Sequence, residues 1–463
     1  MKIKSQISLY VIIYSGIAIF LLSGFLIWIQ AFILNTQREI IKKKLFAVAE
    51  SGIEYYRWHL AHAPQDFTDG TNRPGPYEHI FYDRFGNSIG KFILDITPPP
   101  VGSTIVKIKS SGILNEFPNV EKSILVTLGI PSFAKYSVVV NDNIRFGEGT
   151  EVYGEIHSNQ GIRFDGVAYN LVSSALTTYD DPDHTGPQEW AVHTHKNPVD
   201  PLPPTPYPQR PDVFKAGRLV GVPRVDFNGI TYDLAKIKLE AQTNGVYIGP
   251  SNSYGYEIIL KPDGTFDLYK VTRVYSDCDN PSWSIRNKTF IRNYQIPQNG
   301  TIFIEDHVWV SGQIKNKRVL IGAGKFPDIE SERKNIIINQ NLTYSNYNGD
   351  DVIGLIAQNN VLVGLKSLDN LKIDAALIAQ NGFVGRLYYS SLCGSEYLRN
   401  SITIYGMIGT NKRYGFAWVC GNIHCSGYKY RTLIYDANLL YGPPPYFPLS
   451  TSFYEVLKWL ELK

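Results

Sequence analysis

Between Ser5 and Gln37 the chain contains no Asp, Glu, Lys, Arg or His. A soluble amphipathic helix of that length needs a charged face, so this stretch does not belong to the surface of a globular domain. Proline is absent until Pro64, which leaves the preceding segment without a helix breaker. No Gly-x-Ser-x-Gly elbow, phosphate loop or dinucleotide fingerprint occurs, and no cofactor is expected. The net charge is only +3 and no basic cluster interleaves with aromatics, so nucleic acid is not an expected partner.

The uncharged stretch is almost wholly apolar from Ile7 to Leu34. About 20 apolar residues in a helix cross the ~30 Å hydrocarbon layer, where a helix satisfies its own backbone groups. Residues 1–37 are therefore read as a single-pass membrane segment with lipid as its partner. The run exceeds the ~7–15 apolar residues of a cleaved secretory signal. Past Leu34, Ile41, Leu45, Val48, Gly52, Tyr56 and Leu60 recur every three or four residues. That spacing predicts an amphipathic continuation of the same helix, with Leu45, Val48, Gly52 and Tyr56 as its packing positions.

Charge counting compares Lys2, Lys4 and the amino terminus with Arg38, Lys42, Lys43 and Lys44, and taken alone it puts the carboxyl side in the cytoplasm. The second cluster lies well beyond the apolar run and interleaves with the amphipathic stripe. The body is therefore expected outside the cytoplasm, anchored in the inner membrane.

After a Gly/Pro/Asp/Asn-rich loop from Pro64 to Tyr77, strands are expected at Lys91–Ile96, Thr104–Ser110 and Ser123–Ile130, joined by short turns as an antiparallel meander. Residues 38–131 then form an amphipathic helix on a small sheet. The segment Ala47-Val-Ala-Glu-Ser-Gly-Ile-Glu54, following a short basic start and an apolar helix, resembles the amino-terminal region of type IV pilin-like proteins, closest to the PilX type of pilus-assembly protein. That resemblance implies a minor-pilin or tip component whose helix packs among those of other pilin-like subunits.

From residue 132 to 448 a different regularity appears. Gly154-Glu-Ile156-His-Ser-Asn159, Gly312-Gln-Ile314-Lys-Asn316, Gly354-Leu-Ile356-Ala-Gln-Asn359, Ala376-Leu-Ile378-Ala-Gln-Asn381 and Gly406-Met-Ile408-Gly-Thr-Asn411 share one form. Stacked at the ~4.8 Å sheet spacing, such short strands would line their isoleucines inside a β-helix or β-solenoid, with the asparagines as a ladder at a turn. A β-sandwich is the alternative. The fold class is thus mainly β with a long N-terminal helix, a pilin-like helix plus antiparallel sheet, then a solenoid. An α+β insertion is expected at about 170–300, beginning with a proline-rich stretch from Pro198 to Pro211 and continuing with a short helix through Leu234, Ile237 and Ala241. Residues 449–463 are expected as a helical cap that closes the solenoid.

Four cysteines, Cys278, Cys393, Cys420 and Cys425, allow three pairings. Cys420 and Cys425 suit a small disulfide loop in an oxidising compartment; free thiols and a zinc site with His424 are the alternatives. The densest set of ligand-type residues is Asp180, Asp181, Asp183, His184, His193 and His195, near His157. Asp181, Asp183, His193 and His195 are the candidate metal ligands, against a reading as a polar loop with Asp-Pro-Asp turns. Asp350-Asp351 reads as a turn with only a remote calcium alternative.

No catalytic residue is expected. The leading expectation is a non-enzymatic, membrane-anchored type IV pilus or pseudopilus component. It displays a β-rich cell-surface body for adhesion, with a surface ligand or polysaccharide as a further partner. A membrane-tethered cytoplasmic scaffold resembling bactofilins and a surface carbohydrate-active β-helix are the rival readings.

Overall fold

A computed structural model describes residues 2–100, 102–183, 185–227, 229–276, 278–421 and 423–462. The chain divides into two units, residues 1–99 with 105–129 and 453–463, and residues 100–104 with 130–452.

The first unit is built on α1, Lys2–His62. Its last turns bury Leu45, Val48, Ala49, Ile53, Tyr56 and Leu60 against the antiparallel strands β1 (Tyr77–Tyr82), β2 (Ser88–Thr97), β3 (Val106–Leu114) and β4 (Phe117–Gly129). Two glycines set the closeness of this packing. A Cβ on Gly112 of β3 would lie 2.3 Å from the Leu45 carbonyl oxygen and 2.6 Å from the Ala49 nitrogen, and one on Gly52 would lie 2.3 Å from Ser110 Oγ.

The expected C-terminal helical cap at 449–463 is corrected: Glu455–Leu462 is a strand, paired antiparallel with β4. The open edge of β4 carries unpaired backbone groups, and a segment in which Leu457 and Trp459 alternate with exposed neighbours satisfies them better than one helical turn would.

The second unit is a parallel β-solenoid with three faces. On one face the strands follow in spatial order as Val246–Ile248, Thr301–Ile304, Arg318–Ala323, Val352–Ala357, the second halves of Asn370–Ala379 and Leu398–Thr410, then Val138–Val140, Ile156–Ser158, Val172–Ser174 and Arg218–Leu219. Spatial order and chain order differ. The chain enters at mid-height with Val138–Val140, builds rungs to Arg218–Leu219, crosses to the far end, and climbs back until Ile408–Thr410 pairs with Val138–Val140. Entry and exit are tied together there: Ser132 donates its N–H to the Leu440 carbonyl and its hydroxyl to the Leu439 carbonyl, both at 2.8 Å.

The long crossing follows the outside of this same face. Val225 exchanges hydrogen bonds with the Asn159 side chain, Phe227 meets Phe133 edge-on, and α2 (Gly229–Asn244) lays Leu234, Ile237 and Ala241 over Phe303, Leu320 and Ile356. The face is therefore buried on both sides.

That burial explains one shift from the expected repeat. The interior column is Leu355, Leu377, Ile408, Val138, Ile156 and Val172, whereas Ile356 and Ile378 point outward under the α2 cover. With apolar residues wanted on both faces, no polar alternation marks the phase, and a slip of one residue exchanges the faces. The ladder shifts likewise. Asn141 donates to Asn411 Oδ1 at 2.8 Å and accepts from Asn159 Nδ2 at 2.7 Å. The equivalent places in neighbouring rungs are held by Gln358 and Gln380, so Asn359 and Asn381 stand one residue past it.

The expected insertion at 170–300 also narrows. Val172–Ser174, Val192–His193, Arg218–Leu219, Val246–Ile248 and Gly255–Leu260 are all rung strands; among the described residues, α2, the loops, the hairpin Thr178–Tyr179 with Glu189–Trp190 and the hairpin Thr265–Val274 with Ile285–Gln295 stand outside the coil. At the Arg218 end the column Val138, Ile156, Val172 continues into Arg218 itself. Its guanidinium pairs with buried Asp200, donates to the Val192 carbonyl at 3.1 Å and the Pro208 carbonyl at 2.7 Å, and stacks on Tyr207 and Phe214. A polar plug and the proline-rich stretch thus finish this end.

Two outcomes follow. Replacing Gly112 by Val forces backbone apart and should lower unfolding free energy by about 1–3 kcal/mol, read from urea titration of the full-length protein in detergent. Arg218→Ala leaves the buried Asp200 with only Arg210, at 3.7 Å, and the Thr194 N–H and should cost about 3 kcal/mol, whereas substituting the exposed Lys236 should leave the midpoint unchanged.

Candidate functional site

The N-terminal helix supplies one functional surface. Its apolar window from Leu9 onward has no burial within the chain. Three hydroxyls of this half are satisfied on the helix itself: Ser15 donates to the Ile12 carbonyl at 3.0 Å, Ser23 to Ile19 at 2.8 Å and Thr36 to Phe32 at 2.9 Å. This is how hydroxyls are accommodated in hydrocarbon. Leu45, Val48 and Tyr56, by contrast, are buried in the unit's own core, and Gly52 lies against Ser110 and Phe92. The packing positions read from the sequence thus serve the sheet of the same chain.

The second site lies on the solenoid. On the face formed by Ile144–Phe146, Ile162–Phe164 and Val192–His193, the isoleucines and Val192 point inward and Arg145, Arg163 and His193 form the outward column. Like charges on adjacent strands require counter-ions. They come from Asp165 and from the hairpin of Thr178–Tyr179 with Glu189–Trp190, which brings Asp181 and Glu189 onto the column. One donor atom each of Asp181, Glu189, His193 and His195 lies within 4.8 Å of the others. His193 Nε2 is 2.9 Å from Glu189 Oε2 and 3.7 Å from Asp181 Oδ2, and His195 Nε2 is 2.6 Å from Glu189 Oε1. On its other side the His193 ring donates from Nδ1 to the Trp190 carbonyl at 3.1 Å.

Burial alone would raise the Asp181 carboxyl, but His193, the Asp183 amide and Arg163 together hold it well below the usual carboxylate range. For His193, burial works toward a lower pKa and is outweighed by Asp181 and Glu189, which raise it.

Asp183 is corrected as a member of the candidate set. It turns to Arg413, at 2.9 Å, and Arg145, at 3.6 Å, because two guanidiniums face it. Glu189 takes its place, and its position four residues before His193 was the signal available in the sequence. Asp180 is exposed and outside the group, and His184 lies outside the described residues. His157 faces Ser173 and Asn159 at 3.0 and 3.1 Å. Asp351 accepts from the amides of Lys317, Ser345 and Asn346, so it serves the turn.

The cysteines pair as Cys278–Cys393 and Cys420–Cys425, which removes the zinc alternative at His424. The second bridge closes a hairpin that projects exposed Trp418, Val419 and Ile423. Beside it is a cavity of about 620 Å³ lined by residues including Arg145, Lys412, Arg413, Tyr414 and Trp418.

No family model matches the chain, and no curated protein matches it. Among solved structures it is similar to the competence-associated pilin ComZ from Thermus thermophilus, at 11% identity over 91% of this chain and 97% of that one, with a TM-score of 0.31.

His157 and His307 are both held below the ordinary histidine range. Burial is the main cause in each, and the pKa of His307 falls to about 4. His307 Nδ1 also accepts the Asn335 N–H at 3.0 Å, which requires it unprotonated. Depressed in the fold, these groups contribute stability that is full above pH ~6.5 and is lost as pH falls toward 4. Unfolding free energies from urea titration should fall through that window by no more than about 3 kcal/mol for His307, and His307→Gln should flatten the acid limb.

Proposed function

We propose that this protein is a non-enzymatic, pilin-like subunit, anchored in the inner membrane by α1, with the solenoid displayed outside the cytoplasm. The observation that carries the reading is the division of one helix: its carboxyl half is locked to its own sheet, while its amino half is apolar all round and has no cover within the chain. Lipid and the equivalent helices of neighbouring pilin-like subunits supply that cover. Two disulfides support an oxidising compartment. The PilX-like resemblance of the segment 47–54 supports a minor-pilin or tip role, and the cavity beside Trp418 is the surface we assign to adhesion.

Protease added to intact spheroplasts should digest the solenoid, while alkali washing leaves the protein in the membrane. A cysteine at Leu22 should give cross-linked species with other subunit helices. Release by alkali, or a body protected in intact spheroplasts and digested only after lysis, would sink the proposal; the latter result is the one a cytoplasmic scaffold requires.

A further inference from the structure

We infer that Asp181, Glu189, His193 and His195 form a structural binding site for a divalent transition cation, best suited to zinc. The donors are two imidazoles and two carboxylates, the borderline set that zinc accepts in a closed four-coordinate site. His193 Nε2 lies 2.9 Å from Glu189 Oε2 and 3.7 Å from Asp181 Oδ2, separations that bracket the ~3.3 Å edge of a tetrahedron with ~2.0 Å metal–ligand bonds, while His195 is hydrogen-bonded to the other Glu189 oxygen, Oε1, at 2.6 Å.

The independent observation is the state of His193. The residue is 1% exposed. Its Nδ1–H is committed to the Trp190 carbonyl, the outer contact that fixes the tautomer of a metal-bound histidine and leaves the Nε2 lone pair facing the carboxylates. Nε2 sits close to both carboxylates, yet neither contact has hydrogen-bond geometry, and Asp181 Oδ2, also buried, makes no hydrogen bond. An imidazolium serving only as a counter-ion would aim an N–H at one of these oxygens. His193 Nε2 and Asp181 Oδ2 thus converge on common space without bonding to one another, which is the arrangement of co-ligands.

Charge permits the cation. Arg163 stands 3.6 Å from Asp181 but its Nε is bonded to Asp165 at 2.8 Å, and Arg145 and Arg413 are engaged by Asp183. The metal would join the hairpin 178–190 to the strand carrying His193 in the rung next to the Arg218 plug, and so hold down the end of the solenoid.

Full-length protein in detergent, stripped by a chelator and dialysed, is titrated with zinc alone and, separately, with cobalt(II) alone. The expected result is one equivalent per chain, the strong visible absorption of four-coordinate cobalt, and a higher thermal midpoint with zinc. His193→Gln should weaken zinc binding by roughly 100-fold or more. Because His193 is buried, the partly exposed His195→Gln provides a second reading, with circular dichroism unchanged and the zinc-dependent rise in midpoint lost. Failure of the wild type to bind stoichiometrically, a pale six-coordinate cobalt spectrum, or wild-type affinity in a folded His195→Gln protein would overturn the assignment.

Discussion

One junction, made by two short parallel ladders, Ile408–Thr410 against Val138–Val140 and Arg431–Ile434 against Thr150–Tyr153, holds the second unit together. It joins two stacks of rungs that are far apart in sequence, and without it each stack would end in an open, unpaired edge of the kind that templates aggregation. Because the junction lies at mid-height, the chain comes in and goes out at the same level, and a crossing is needed to bring it from one end of the coil to the other. At ~4.8 Å per rung that crossing covers roughly 40 Å. The strap through Val225 and the helix Gly229–Asn244 provide it.

The crossing also differentiates the faces. It buries the outside of one sheet under Leu234, Ile237 and Ala241, so that sheet is apolar on both sides. The neighbouring face, left uncovered by the helix, carries the Arg145, Arg163 and His193 column and gathers carboxylates from the hairpin that follows. The position of the polar cluster is thus a consequence of how the chain returns to its starting level. The same logic divides α1: where a sheet is available, side chains at helical spacing are buried to the last atom, and where none is, the helix is uniformly apolar.

Local patterns in the sequence determined a good deal. An uncharged apolar run followed by a stripe at three- and four-residue spacing suffices to specify one continuous helix with two environments, since helix formation and the choice of solvent are both local properties. The recurring small-x-Ile element likewise marked stacked parallel strands, because short strands with buried faces have few other ways to pack.

Only the tertiary structure decided the rest. Which isoleucines face inward depends on a cover supplied from elsewhere in the chain, so Ile356 and Ile378 could not be phased from their own neighbours. The order of rungs depends on pairing between residues some 270 apart, as between Asn141 and Asn411, and no local periodicity records such a distance. Leu457 and Trp459 became strand residues because β4 had an open edge to fill. Glu189 replaced Asp183 in the polar cluster because Arg413, remote in sequence, drew Asp183 away. In each case the deciding partner lies far along the chain, and the free energy that selects the arrangement does not exist until the partner has arrived.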